Sequence, residues 1–223
     1  MRATRTNLGV ALAAALLAAT SAHAERHGIE SAEMLARGDC EAELTLDRLQ
    51  GGARAAEVEL TCRVGPVQLG GQAEYGREDG SSATGWTAEV KWSRPVGDWR
   101  LGVLVLADWE AHQRPRRESA SLVGLASYPL REDLQLHFNL GRQFARSGEE
   151  DSARSGVAVE WAFLPRWTLL AERYVRDTTH FARGTVRWAA GRTWSLELGR
   201  VLRLAGPEPS RWVFAVSLDL DDD

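Results

Sequence analysis

The stretch Cys40-Glu41-Ala42-Glu43-Leu44-Thr45-Leu46-Asp47 is followed, past Gly51-Gly52, by Ala55-Ala56-Glu57-Val58-Glu59-Leu60-Thr61-Cys62. Both halves alternate polar and apolar residues, the period of a strand with two different faces. One antiparallel register sets Cys40 opposite Cys62, Ala42 opposite Leu60, Leu44 opposite Val58 and Leu46 opposite Ala56. Glu41/Thr61, Glu43/Glu59 and Thr45/Glu57 then fall on the other face. A slip of one residue would exchange the two faces, so this register is strongly specified. It predicts a hairpin over residues 39–47 and 55–63 with a Cys40–Cys62 cross-strand disulfide.

The same alternation continues to the end of the chain in about twelve runs, each suited to the ~9–11 residues of a tilted membrane strand. Every tryptophan (Trp86, Trp92, Trp99, Trp109, Trp161, Trp167, Trp188, Trp194, Trp212) takes the apolar parity of its run, and most sit beside a turn. Aromatic residues collect at such positions where hydrocarbon meets water. Connections alternate in length. Short ones are expected at 63–66, 94–97, 129–132, 164–166 and 189–192, and larger, more charged ones at 48–54, 77–83, 112–118, 146–152, 176–180 and 203–210. Short periplasmic turns and longer outside loops give such an asymmetry. Trp92, Trp99, Trp161, Trp167, Trp188 and Trp194, with Tyr128, then form a periplasmic belt, and Trp86, Trp109 and Trp212 an outer one with Tyr75 and Phe144. Tyr174 and Phe181 break the parity and are expected to face inward or mark bulges.

The first residues carry a secretory signal: Arg2 and Arg5, an apolar stretch from Leu8 to Ala19, and Ala22-His23-Ala24 as the cleavage pattern. The expected division is a signal over 1–24, a periplasmic segment or short plug helix over 25–38, one barrel domain over 39–220, and an acidic tail over 221–223. Without Arg2 and Arg5, 25 of the 27 basic residues remain against 31 acids, a net charge of −6. That balance offers no support for a nucleic-acid partner. No later stretch has the ~18 apolar residues of a transmembrane helix, so a membrane form must be a closed barrel. The two cysteines are bound for an oxidising compartment, which favours a disulfide over a metal site.

With these features the chain resembles the small bacterial outer-membrane β-barrel proteins as a broad class. The resemblance covers residues 39–220 and consists of pattern and topology. It implies an all-β, antiparallel, up-and-down closed barrel of about twelve strands; ten strands, or a soluble barrel or sandwich, are the alternatives. It further implies outer-membrane lipid and the barrel-assembly machinery as partners and a small solute as ligand. The last strand departs from the class: Trp212 to Leu220 alternates correctly but runs into Asp221-Asp222-Asp223, where such barrels usually end on an aromatic residue.

The opposite parity defines an expected lumen lined by Glu43, Glu59, Glu89, Lys91, Arg100, Asp108, His137, Glu160, Glu172, Arg183, Arg187 and Glu197. In a dry sandwich core each such charge costs several kcal/mol unless paired; inside a barrel they pair or stay wet. Arg183 and Arg187 are expected to face the acids of the first hairpin across a narrow interior. Leu104, Leu106, Val123 and Leu125 form an apolar inward patch, for which Ile29 to Ala36 is the expected cover. These features favour a narrow selective channel for small solutes or a structural envelope protein, with no cofactor and no metal. A soluble periplasmic barrel binding an apolar ligand is the second reading. A lipid hydrolase built on His137, with Asn139 on its face and Ser119 and Ser121 on the next strand, is the third. No G-x-S-x-G elbow or metal-type histidine spacing accompanies that set.

Overall fold

The computed structural model describes residues 28–78, 81–111, 117–145 and 150–220. The expected signal and acidic tail lie outside those residues. Twelve antiparallel strands follow one another: β1 (Cys40–Leu49), β2 (Arg54–Val64), β3 (Val67–Glu78), β4 (Ser81–Val96), β5 (Trp99–Glu110), β6 (Arg117–Arg131), β7 (Leu134–Ala145), β8 (Ser152–Leu164), β9 (Trp167–Asp177), β10 (Thr179–Ala189), β11 (Trp194–Ala205) and β12 (Arg211–Asp219). Each pairs with its sequence neighbours, and β1 pairs with β12 to close the barrel. Closure leaves no unpaired sheet edge, the condition for a sheet to lie in hydrocarbon.

β1 and β2 take the register read from the alternation, from Cys40 opposite Cys62 through Leu46 opposite Ala56, and Cys40 and Cys62 form a disulfide. Gly51 and Gly52 supply the left-handed backbone of the intervening turn, with φ near 107° and 104°. Burial alternates as the pattern requires. In β5, Val103 and Val105 are exposed on the outer surface while Leu104 between them is buried. Leucine, valine and tryptophan residues of all twelve strands are exposed in the same way. An apolar band around a closed barrel is a surface built for lipid.

The loops depart from expectation at one end. Only Thr178 separates β9 from β10, so the segment 176–180 is a tight turn, not a large loop. Asp177 adopts a φ of 55° there, a conformation its short polar side chain tolerates. Residues 77–83 are likewise mostly strand, since β3 runs to Glu78 and β4 begins at Ser81. Charge and glycine content suggested loops, but strand pairing reaches Arg176 opposite Thr179 and Glu78 opposite Ser81. The remaining connections at this end, 50–53, 111–116, 146–151 and 206–210, are longer than the two-residue turns 65–66, 97–98, 132–133 and 165–166 opposite, where 190–193 alone matches 50–53 in length.

Two buried clusters occupy the interior. One joins Ile29 to Ala158, Leu170, Tyr174, Phe181, Val201 and Val213. The other joins Ala32 to Leu104, Val123 and Leu125, with Leu106 packed beside it. Both therefore combine barrel wall with the chain preceding β1. Tyr174 and Phe181 face inward, their rings 5.1 Å apart, and the β10–β11 register shifts between His180 and Phe181. Both keep the inward parity of their strands, Phe181 with Arg183 and Thr185 and Tyr174 with Leu170 and Glu172, so what is unusual is an aromatic ring on the inner face.

Candidate functional site

The site is the barrel interior and the segment 28–38 that crosses it. This segment carries no helix, where a short helix over Ile29 to Ala36 was the expectation. Its backbone groups bond instead to side chains of the surrounding wall, which removes the need for helical hydrogen bonds. The Ile29 N–H donates to Glu172 Oε1 at 3.1 Å, Ala32 N–H to Ser127 Oγ at 2.9 Å, and Leu35 N–H to Gln68 Oε1 at 3.0 Å. Arg63 Nη1 donates to the Leu35 carbonyl at 2.6 Å. The Asn139 amide both donates to the Glu30 carbonyl and accepts from the Glu30 N–H, each at 2.8 Å. Two acids of the segment meet basic residues of the wall: Glu33 lies 2.7 Å from Arg100, and Glu30 4.0 Å from Lys91. Gly156 on β8 leaves space for Ile29, since a Cβ there would lie 2.5 Å from Ile29 Cδ1.

These partners order the path. Gln68 and Arg100 lie at the short-turn end of their strands, whereas Tyr174 and Gly156 lie toward the opposite end. From the start of β1 at the short-turn end, the chain preceding it therefore rises through the lumen to Gly28. The partners come from β2, β3, β4, β5, β6, β7 and β9, so the segment is braced against most of the circumference.

A second constellation occupies the β8–β11 wall. Arg183 Nη2 donates to Glu197 Oε1 at 2.7 Å, and its Nε lies 3.6 Å from Glu172 Oε2. Arg187 reaches Glu197 at 3.2 Å and Glu160 at 3.9 Å. Arg183 pairs with the two adjacent strands, and Arg187 with adjacent β11 and, two strands away, β8. As expected, the arginines also face the first hairpin, Arg187 lying within electrostatic reach of Glu41 and Glu43 and Arg183 of Asp47. There Glu43 accepts from Thr45 Oγ1 at 2.8 Å and Ser217 Oγ at 2.9 Å, and Glu59 from Thr61 Oγ1 at 2.8 Å. In so narrow a barrel, residues one or two strands apart already approach across the curved wall, which is why the pairing stays local.

His137 is joined by a different serine from those expected. Its Nδ1 lies 2.8 Å from Ser127 Oγ, and its Nε2 lies 3.4 Å from Glu160 Oε2. Ser119 hydrogen-bonds to Asp108, Ser121 accepts from Arg154, and Asn139 serves Glu30. Ser127 and His137 are 2% and 1% exposed, and the Ser127 oxygen already accepts the Ala32 N–H. The Ser127–His137–Glu160 line thus secures the segment and leaves no space at the serine for an acyl group.

Above Glu30 the interior opens into a vestibule of about 470 Å³. Glu57, Glu59, Glu74, Glu89 and Asp108 line one side of it, and Arg154, Arg176 and Arg211 the other. Asp47 also lines it, paired with Arg211 at 2.9 Å. Gln68, Ser127, Arg154, Arg176 and Arg211 were not singled out from the sequence, although their inward parity was available there.

Outside, eight tryptophans are exposed and Trp109, opposite Trp86 beside a register shift, is half-buried. At the short-turn end Trp99 meets Tyr128 at 4.8 Å, Trp167 stacks on Trp188 at 5.8 Å, and Trp188 meets Trp194 at 6.5 Å. The Trp161 indole donates to Asp133 at 3.0 Å in the turn after β6.

A closed twelve-stranded barrel with a charged interior and an apolar, aromatic-banded exterior defines the outer-membrane β-barrel class. Its fold is similar to those of the NanC porin (TM-score 0.66, 9% identity, covering 80% of this chain and 100% of that one) and the KdgM porin (0.63, 11%, 81% and 99%). It is also similar to the COG4313 outer membrane channel from Pseudomonas putida F1 (0.63, 13%, 84% and 97%). The chain belongs to the family described as "Uncharacterised conserved protein UCP029691", which matches residues 10–214. No curated protein matches the sequence.

Proposed function

We propose that the protein is a narrow outer-membrane channel for small solutes, constricted by its own segment 28–38 and biased toward cations by the acid-rich vestibule. The observation that carries this reading is the segment's course through the lumen. Backbone hydrogen bonds to Gln68, Ser127 and Glu172 hold it against polar wall groups, above which the vestibule remains open. Twelve strands enclose a smaller bore than the 16–18 of open porins, so a single inserted segment suffices to set permeability. The expected lumen-lining charges supply the local field, and the two tryptophan groups would rest at the two membrane interfaces. Lipid and the assembly machinery are the partners this placement requires.

The KdgM porin has been seen in complex with oligogalacturonate, an acidic sugar. Here the vestibule acids Glu57, Glu59, Glu74 and Glu89 favour the opposite charge. Reconstitution into planar bilayers tests the proposal: discrete small steps with a reversal potential shifted toward the cation in a salt gradient are expected. A silent bilayer with correctly inserted protein would instead assign a structural envelope role, which the bracing of the segment from many strands also favours. Recovery in the soluble periplasmic fraction would remove the membrane reading.

A further inference from the structure

On the outer face near the long-loop end, register places a row of basic side chains on neighbouring strands. Arg77 pairs with Arg54, Arg54 with Arg48, Arg48 with Trp212, and Trp212 with Arg200. The row spans β3, β2, β1, β12 and β11, and all five residues share the outward parity of their strands. Like charges directly opposite one another across a ladder are destabilising. Among the described residues no carboxylate forms an ion pair with Arg48, Arg54, Arg77 or Arg200, whereas Arg142, elsewhere on the outer rim, has Asp151 at 3.3 Å. The Arg200 guanidinium instead lies over the Trp212 ring, 5.0 Å from its centre.

Immediately beneath, one step toward the middle of the wall, the next outward row is apolar: Tyr75, Ala56, Leu46, Phe214 and Leu198 are paired in the same order. Ala56 is the smallest of these, and the surface dips around it. The resulting groove of about 610 Å³ reaches from Tyr75 to Trp212 and is bounded above by Arg48, Arg54 and Arg77. A repulsive row of planar cations above an apolar groove matches one kind of molecule. Its anionic head must bridge several guanidinium groups, and its hydrocarbon must run toward the membrane centre.

We infer that this row binds the phosphate groups of a lipid in the leaflet at the long-loop end, with an acyl chain seated in the groove at Ala56. Guanidinium groups pair bidentately with phosphate oxygens, and a phosphate between Arg48 and Arg54 converts their repulsion into two attractions. The ligand class is a phosphorylated glycolipid of the outer leaflet. This inference shares the outer-membrane placement proposed above but not conduction.

The test uses the full mature protein, purified in mild detergent, with bound lipid measured by native mass spectrometry. The probes are diphosphorylated lipid A, the same lipid without its phosphates, and inorganic phosphate. Wild type should retain the diphosphorylated lipid about tenfold more tightly than either the dephosphorylated lipid or the triple variant Arg48→Gln, Arg54→Gln, Arg77→Gln. Equal binding of the two lipids would overturn the inference, as would displacement by millimolar inorganic phosphate, which would indicate a free-anion site. If the triple variant does not fold, Ala56→Trp decides, because it fills the groove and keeps the arginines. It should weaken lipid retention, and unchanged retention would overturn the seat. Bilayer recordings on the same preparation report on conduction separately, and membrane fractionation on placement.

Discussion

Ala32 N–H lies 2.9 Å from Ser127 Oγ, joining the chain before β1 to the far wall of the barrel deep in its interior. Both residues are almost fully buried, so the bond forms in a region of low dielectric where an unpaired amide would be costly. It is one of several such contacts, and together they make the segment part of the interior rather than a loose tail.

Removing residues 25–37 while keeping Gly38, Asp39 and Cys40 should raise single-channel conductance and lower the melting temperature. The deletion uncovers Leu104, Val123 and Leu125 and leaves Gln68, Ser127 and Glu172 without their backbone partners. Planar-bilayer recording and thermal unfolding in detergent provide the readouts. Unchanged conductance and stability together would dismiss a restricting role for the segment.

Arg183→Met should be strongly destabilising, by about 3–5 kcal/mol, because Glu172 would stay buried without its cation and Glu197 would keep only Arg187 of its two arginines. The triple change Arg183→Met, Glu172→Gln, Glu197→Gln should recover much of that loss. Heat-modifiable gel mobility across a temperature series would show both effects.

His137→Ala should weaken segment docking, with a stability loss of about 1–3 kcal/mol from the lost Ser127–imidazole hydrogen bond and the vacated interior, Ser127 keeping only its bonding to the segment. Lipase and deacylase assays on the same variant address the hydrolase alternative. A wild-type activity abolished by His137→Ala or Ser127→Ala would revive it.

Cys40→Ser with Cys62→Ser should lower stability by about 3 kcal/mol, the expected magnitude for a loop spanning a sequence separation of 22. Denaturant unfolding with and without reductant should show wild type converging on the variant only when reduced.

Asp133 lies outside the membrane-spanning strands. The hydrogen bond from the Trp161 indole, reinforced by Arg131, holds its carboxyl below the ordinary aspartate range. A carboxyl lowered in the folded state contributes stability that is present above its unfolded pKa and lost as pH falls through the folded one. The Trp161 indole NMR resonance should therefore titrate with a midpoint below that of a free aspartate, and Asp133→Asn should abolish the transition.

Much of this architecture could be read from the chain because strand pairing obeys a period of two. The cysteine register of the first hairpin, the strand number and the inward direction of Tyr174 and Phe181 all follow from parity and its breaks. The form of Ile29–Ala36 did not. Its composition suits a helix, but its hydrogen-bond partners, Gln68, Ser127, Asn139 and Glu172, lie far away in sequence. The turn at Thr178 was obscured for a related reason: Arg176-Asp177-Thr178-Thr179 has loop composition, yet pairing of Arg176 with Thr179 keeps both residues in strands. The local pairing of Arg183 and Arg187 depends on the curvature of the wall, which alternation does not encode.

The barrel closes where β1 meets β12, with the Leu220 N–H donating to the Cys40 carbonyl at 2.8 Å. These contacts join nearly opposite ends of the described chain, so chain-closure entropy places them late in assembly. Cys40, however, is already tied to Cys62 once the chain meets an oxidising compartment. The first strand thus reaches the membrane in fixed alignment with its neighbour, a preset template against which the final strand can settle in only one phase.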